Sequence, residues 1–516
     1  MSERVHRSVM NIKVGMLFYI LSLFLAFFSR KIFLDCLGAE FIGLTGMLMN
    51  IMSFLSVAEL GIGTSIVYFL YKPLQEDNHE KINEVMSMLA YLYRCIGFII
   101  GGLGLIVSLF FPWWFNHLTT GLPLVYFAFY SFLATSMSGY IFNYKQLLVG
   151  ANQKQYMVSA YFQTIGIVQS LTQIILAYYY QNLYLWVVVG LIFTIIGIIV
   201  FNYRIQKLYP WLRINLREGR ENLKKYPEVL QKTRQVFVHK IKDFILYRSD
   251  EIMVGMFVSV VTVAFYGNYT MIINKLNLMV NILSEGLSAG VGNLLAEGDE
   301  RNTMKVFWEL TATRFLILGI TIFSLLLLFQ PFIGIWLGKE YQLSDVIVYL
   351  VIFNLFMRYQ TAAIYIYLGS AGLFSDVWAS WTELIINISV TLLLAPTYGI
   401  AGILLGKIIS FGIISSFWKP YYLFSQVFHK SVLEYWKGMA PYYTIFTLFT
   451  LITIWLKQAV IDQHSESFLS LAIYGLAISI PLYTFFFFLL FRYTPGMKFF
   501  VARKPKILRI LNHIIY

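Results

Sequence analysis

The chain has 516 residues, 59% hydrophobic and only 13% charged, with mean hydropathy +0.69 and a formal net charge of +13 at pH 7. Soluble domains average about 25% charged residues, so this composition excludes an ordinary globular enzyme. Apolar windows long enough to cross about 30 Å of hydrocarbon recur along the whole length, which makes the chain a multi-span helical membrane protein.

The N-terminus, MSERVHRSVMNIK, is basic and runs into an apolar segment at 12–33 that ends in Ser29-Arg30-Lys31. No small-residue cleavage site follows, so this reads as a retained first span rather than a removed signal peptide. Further spans are expected at 42–71, 85–111, 122–142, 156–178 and 184–203. After the hydrophilic stretch 204–235 they resume at 236–258, 262–287, 306–329, 343–367, 376–396 and 399–424, and they end with 438–457 and 467–491. The expected fold class is therefore all-α and polytopic, with about fourteen transmembrane helices.

Most of the 39 Lys and Arg residues fall on the side that carries both termini, whereas the opposite loops hold only Arg30, Lys31, Lys339 and Lys457. That asymmetry places both termini in the cytoplasm. It also accounts for the high pI without nucleic acid as a partner. Segment 204–235 reads as a basic amphipathic cytoplasmic connector, suited to an anionic leaflet.

A shift of 224 residues aligns Phe41-Ile42-Gly43 with Phe265-Tyr266-Gly267, Asn50 with Asn274 and Ser53 with Asn277, and a shift of 220 aligns LLVGAN with YLGSAG. Both shifts pair span n with span n+6. The expected organisation is an N-lobe at 1–203, the connector at 204–235, a C-lobe at 236–424, and 425–516 as two appended spans with a basic tail. Transporters built from such repeats bind substrate between the lobes near the midplane.

Ionisable groups in the spans mark the candidate site. The stretch HKIKDFILYRSDEIM sets His239, Asp243, Tyr247 and Asp250 within about 80° on a helix, flanked by Lys240 and Glu251. A charge at the bilayer centre costs at least about 2.5–3.5 kcal/mol, so such groups face protein or water. In the next span Thr270, Asn274, Asn277, Asn281 and Ser288 form one polar stripe, and its counterpart carries Asn50 and Ser53 with Glu59 close to that face. Arg94, Arg248, Lys275, Arg314, Arg358, Glu383 and Lys407 add further charges. For a single residue, structural pairing such as Asp250 with Lys275 is as good a reading. For the set, a basic, water-filled cavity suited to an anionic substrate fits better.

Enzyme chemistry has little support. The two cysteines, Cys36 and Cys95, cannot build a Cys-rich metal site, and no His/Cys ligand spacing, P-loop, G-x-S-x-G or dinucleotide fingerprint occurs. The loops on the outer side are too short to fold over a substrate. No cofactor is expected.

The block RKIFLDCLGAEFIGLTGMLMNIMSFLSVAELGIGTSIVYFLYKPLQEDNHEKI, with the later DEIMVG, VAFYGNY and GNLLAEG, resembles the polysaccharide and O-antigen flippases (Wzx-like proteins) of the multidrug/oligosaccharidyl-lipid/polysaccharide exporter superfamily. The resemblance runs from about residue 10 to 490. It implies translocation of an undecaprenyl-pyrophosphate-linked oligosaccharide across a bacterial inner membrane by ion-coupled alternating access, for lipopolysaccharide or another surface glycan. Implied partners are a glycan polymerase and a chain-length regulator, with the transporter itself a monomer.

By that resemblance Arg30, Glu59 and Asp250 occupy matching motif positions, while Arg248, Lys275 and Lys240 are assigned to pyrophosphate on charge. Asn50, Asn274 and Asn277 are set to meet sugar hydroxyls. Asp250, Glu59 and Asp243 are the candidates for coupling H⁺ or Na⁺, because a carboxylate repels a pyrophosphate unless protonated or paired. Arg-Ser before Asp250 departs from the family pattern and leaves the direction of Arg248 open. A multidrug or small-metabolite antiporter of the same superfamily, a membrane glycan polymerase and a structural assembly scaffold are the alternatives.

Overall fold

The structure is a computed structural model that describes residues 3–59, 62–225, 246, 248–282, 287–373 and 375–503. His239, Lys240, Lys242, Asp243 and Tyr247 lie outside the described residues, as do the side chains of Asn281 and Ser288. The described residues form helices and no strand. Among them, eleven helices are long and apolar enough to cross a membrane by length and composition. The chain divides into two compact units, Met1–Gly267 and Asn268–Tyr516.

In the first unit the helices are α1 (Glu3–Leu37), α2 (Ala39–Leu55), α3 (Ile62–Gln75), α4 (His79–Ser108), α5 (Leu122–Asn143), α6 (Gln155–Tyr180), α7 (Leu183–Leu208), α8 (Leu216–Lys225) and α9 (Asp250–Phe257), followed by the start of α10 (Val260–Ile282). Side chains set several starts: Asn78 Oδ1 accepts from the Lys81 amide at 3.0 Å, and Asn182 Oδ1 from the Leu185 amide at 3.0 Å. Each satisfies an amide that has no partner inside its helix.

The expected span 42–71 is interrupted. Helix α2 ends at Leu55 and passes into a 3-10 turn at Ser56–Glu59 before α3 begins at Ile62. Glu59 lies in that turn and not, as the sequence reading expected, near the face that carries Asn50; nine residues at about 100° each put the two on opposite sides even of an unbroken helix. The region expected as 262–287 is covered mostly by α10, where Asn268, Asn274, Lys275 and Asn277 dilute the hydropathy.

Within this unit α1 packs on α6, α2 on α5 and α9, and α4 on α5 and α8. The α2 contact is close: a Cβ on Gly43 would lie 1.9 Å from the Val260 carbonyl oxygen. Helices in lipid gain no hydrophobic advantage from meeting one another, so such close backbone approach supplies much of their association. Helix α8 is polar almost all round. It docks on α4 through buried Gly219 and Asn222, and leaves Arg217, Arg220, Lys224 and Lys225 exposed. The Asn215 amide donates to Ser87 Oγ at 3.0 Å, and His79 stacks on Trp211 at 3.8 Å.

The second unit holds the rest of α10 and a helix at Leu287–Glu297, then α11 (Glu300–Trp336), α12 (Asp345–Tyr359), α13 (Ala362–Ser370), α14 (Val377–Tyr398), α15 (Ile400–Gln426), α16 (Val432–His464), α17 (Phe468–Tyr493) and α18 (Pro495–Ala502). Its organising element is α11, 37 residues long, against which α12, α16, α17 and α18 pack. Phe323 meets the edge of Phe486 at 5.0 Å, and a Cβ on Gly319 would sit 2.3 Å from that Phe486 ring. The two appended spans, α16 and α17, thus belong to the core of this unit. Helix α15 contains a π-helical stretch at Phe411–Trp418, and α16 another at Lys457–Ile461.

Candidate functional site: ionisable groups held inside the helix bundle

Glu59, from the 3-10 turn, meets two tyrosines from other helices. The Tyr93 hydroxyl of α4 donates to Glu59 Oε1 at 2.6 Å, and the Tyr140 hydroxyl of α5 donates to Oε2 at 3.1 Å. The carboxylate borders a 320 Å³ pocket shared with Thr135, Ser136, Asn143 and Gln146. A Cβ on Gly63 would lie 2.8 Å from the Tyr93 hydroxyl, so glycine there leaves room for the tyrosine to reach the acid. A polar group inside a helix bundle is costly unless hydrogen-bonded, and here both carboxylate oxygens accept a tyrosine hydroxyl.

A second cluster gathers where α9 meets α2 and α10. Asn50 Nδ2 donates to Glu251 Oε2 at 2.6 Å and to the Gly46 carbonyl at 3.0 Å. The Tyr266 hydroxyl donates to Asp250 Oδ2 at 3.0 Å, and Arg30 Nη2 donates to the Ala264 carbonyl at 3.0 Å. Asp250 and Glu251 occupy the first turn of α9, where the helix dipole favours negative charge. Arg248, two residues before Asp250, is exposed.

In the second unit Asn274 is exposed and Lys275 half-buried, while Asn277 Oδ1 accepts from the Tyr359 hydroxyl at 2.8 Å. Asn277 and Tyr359 border a 20 Å³ cavity with Arg314 and Thr321, about the room one water needs. Arg314 is 9% exposed, and its Nε has no hydrogen-bond partner among the described residues.

A further polar network surrounds the π-helix of α15. Glu383, 1% exposed, accepts from Ser415 Oγ at 2.8 Å, and Ser415 lies 2.8 Å from the Tyr365 hydroxyl. Gln360 donates to Ser416 at 2.9 Å and accepts from the Tyr443 hydroxyl at 2.8 Å. Asp376 and Lys419 form a buried ion pair at 2.7 Å, to which Trp418 Nε1 adds a 3.0 Å bond.

Of the residues singled out from sequence, Arg30, Asn50 and Asp250 all bond at the junction of α1, α2, α9 and α10. Glu59 bonds instead to α4 and α5. Sequence reasoning did not assign Tyr93, Tyr140, Tyr266, Tyr359 or Gln360. With 36 tyrosines in the chain, a tyrosine inside a span carries no signal of its own. Glu251 and Arg314 were visible as charges but had no partner to distinguish them.

No known family profile matches the sequence, and no curated relative does. Solved structures do. The chain is similar to the lipid II flippase MurJ in its inward closed conformation, with TM-score 0.62 and 14% identity over 94% of this chain and 99% of that one. It is also similar to an inward-facing multidrug resistance MATE family transporter of the MOP superfamily, with TM-score 0.53 and 13% identity over 81% of this chain and 98% of that one. The chain therefore shares the fold of these two membrane proteins, a polytopic all-α fold of the kind that the sequence resemblance implied.

Proposed function

We propose that the protein translocates an undecaprenyl-pyrophosphate-linked oligosaccharide from the inner to the outer leaflet of a bacterial inner membrane. The observation that carries this reading is the MurJ-like fold over 94% of the chain, since that neighbour is named a lipid II flippase. Support comes from the residues themselves. Arg30 and Arg314 put cationic groups within candidate spans and Lys275 adds one on α10, and an arginine fork matches two oxygens of a pyrophosphate. Asn50, Asn274 and Asn277 supply amides of the kind that meet sugar hydroxyls.

Transport is driven by H⁺ or Na⁺ through alternating access. Glu59 and Asp250 are the coupling carboxylates. Binding of a cation removes the negative charge that the Tyr93, Tyr140 and Tyr266 hydroxyls otherwise satisfy. Those bonds then have different worth in the two states, which is what lets an ion bias a conformational equilibrium. Both termini face the cytoplasm.

The test is to delete the gene in its host and ask on which leaflet the lipid-linked glycan accumulates. Cytoplasmic accumulation with loss of surface glycan is expected. Unpolymerised single units on the outer leaflet would instead identify a polymerase. An unchanged glycan would favour the second reading, a small-molecule exporter, for which the MATE likeness speaks.

A further inference from the structure

At one end of the second unit a 790 Å³ crevice opens between the C-terminal end of α11, the start of α12 and the π-helical stretch of α16. None of the residues assigned to transport above lines it. Its position across the membrane follows from α11. Near the start of that helix Glu309 pairs with Arg503 at 3.1 Å, just beyond α18. Gln330, on the crevice wall, lies far enough along the same helix to be about 32 Å away at 1.5 Å per residue, close to the thickness of a hydrocarbon core. The crevice therefore opens at the face opposite the C-terminal segment, and the distribution of Lys and Arg makes that the outer face.

The walls are built and not merely wet. Gln330 is fixed by three bonds: it accepts from the Tyr269 hydroxyl and donates to the Leu343 carbonyl at 2.6 Å and to Asp345 Oδ1 at 3.1 Å. Gln342 Nε2 donates to the Gln330 carbonyl at 2.8 Å. On the far wall the π-helix sets Lys457 and Asp462 on one face. The Asp462 amide bonds the Lys457 carbonyl, and the Lys457 ammonium, 6% exposed, bonds Asp462 Oδ2 at 2.8 Å. Inserted π turns carry an energetic cost and recur at functional sites. Ser465 also borders the crevice, and its buried Oγ has no partner among the described residues.

The chemistry of this lining differs from that of the transport residues. Lys339 and Lys457 stand against Asp345, Asp462 and Glu466, with amides and hydroxyls between them. A pyrophosphate would meet net negative charge here, whereas a ring of neutral hydroxyls needs this mixture of donors and acceptors, with planar amides and carboxylates able to bond two adjacent hydroxyls. The volume lies within the range of small-ligand sites. We infer that the crevice is a second binding site, one that takes a neutral, hydroxyl-rich sugar of the glycan at the outer face. That identity of the ligand rests on the transport reading above.

The test uses the full chain with Cys36 and Cys95 replaced by serine and a single new cysteine, Glu340→Cys. Glu340 is exposed beside Lys339 and outside the lining. Intact cells are treated with a bulky, membrane-impermeant maleimide and surface glycan is quantified. Labelling from outside is expected, with export unchanged before modification and at least five-fold lower after it. Gln342→Ala is expected to lower export several-fold without label. Full labelling with unaltered export overturns the proposal, and so does labelling confined to inside-out vesicles. Saturation-transfer NMR of the purified protein with neutral fragments of the host glycan gives the independent arm. Transfer should appear for the unmodified protein and vanish on labelling; no transfer to the unmodified protein overturns the site even where gene deletion has borne out the flippase. Normal surface glycan in the deletion strain refutes the flippase reading itself, and the NMR arm then decides the site alone.

Discussion

The Tyr93 hydroxyl sits 2.6 Å from Glu59 Oε1 and donates to it, joining α4 to the 3-10 turn at Ser56–Glu59 across 34 residues of sequence. Around this bond a membrane-embedded acid is made tolerable. A hydrogen bond to a charged group contributes about 1.5–3 kcal/mol. Tyr93→Phe should therefore lower the thermal unfolding midpoint of the detergent-purified protein by several degrees, and Tyr140→Phe, at 3.1 Å, by less. The reverse order would mean that Glu59 is held chiefly from α5.

Glu59→Gln and Asp250→Asn each keep the hydrogen-bonding shape and remove the charge. Both variants should reach the membrane at wild-type level and lose ion-driven export by at least ten-fold. Glycan export and membrane abundance, measured in the same cells, check this. Unimpaired export in either variant removes that carboxylate from the coupling role.

Asn50 and Glu251 are 2.6 Å apart and tie α2 to α9. Interhelical polar pairs in membrane proteins couple by about 0.6–1.7 kcal/mol. A double-mutant cycle of Asn50→Ala and Glu251→Ala, read by denaturant unfolding, should return a coupling in that range. A coupling near zero would mean that the pair is incidental to packing.

Two glycines predict opposite outcomes. A Cβ on Gly43 would lie 1.9 Å from the Val260 carbonyl oxygen, whereas a Cβ on Gly102 meets nothing within 4 Å. Gly43→Ala should sharply reduce folded protein in the membrane, and Gly102→Ala should leave it unchanged, as size-exclusion profiles of tagged protein will report.

Asp376 and Lys419 form a pair whose side chains are 6% and 8% exposed. Removing one partner strands a buried charge, at a cost of about 3–5 kcal/mol. Asp376→Asn should be strongly destabilising in thermal unfolding. Replacing both residues together, Asp376→Leu with Lys419→Met, should recover most of the loss. Failure of the double variant to recover would assign the pair a role beyond mutual neutralisation.

The character of the chain was legible without coordinates because hydropathy is a local property. Each span is apolar through its own residues, and each charge inside a span stands out against them. Arg30, Glu59, Asp250 and Arg314 stand out in this way, and a local block such as LGAEFIGL and AELGIGTS can resemble a family for the same reason. Partnership is not local. Glu59 and Asn50 are nine residues apart in what reads as one hydrophobic run, but Glu59, in the 3-10 turn at Ser56–Glu59, finds Tyr93 and Tyr140, while Asn50, on α2, finds Glu251. The crevice beside Gln330 likewise exists only because the end of α11, the start of α12 and the last turns of α16 converge there. Composition and periodicity determine which segments enter the membrane and which ionisable groups they carry. Where the backbone breaks its helical period, and so which polar groups face one another, depends on contacts between helices distant in sequence, and tertiary packing alone decides it.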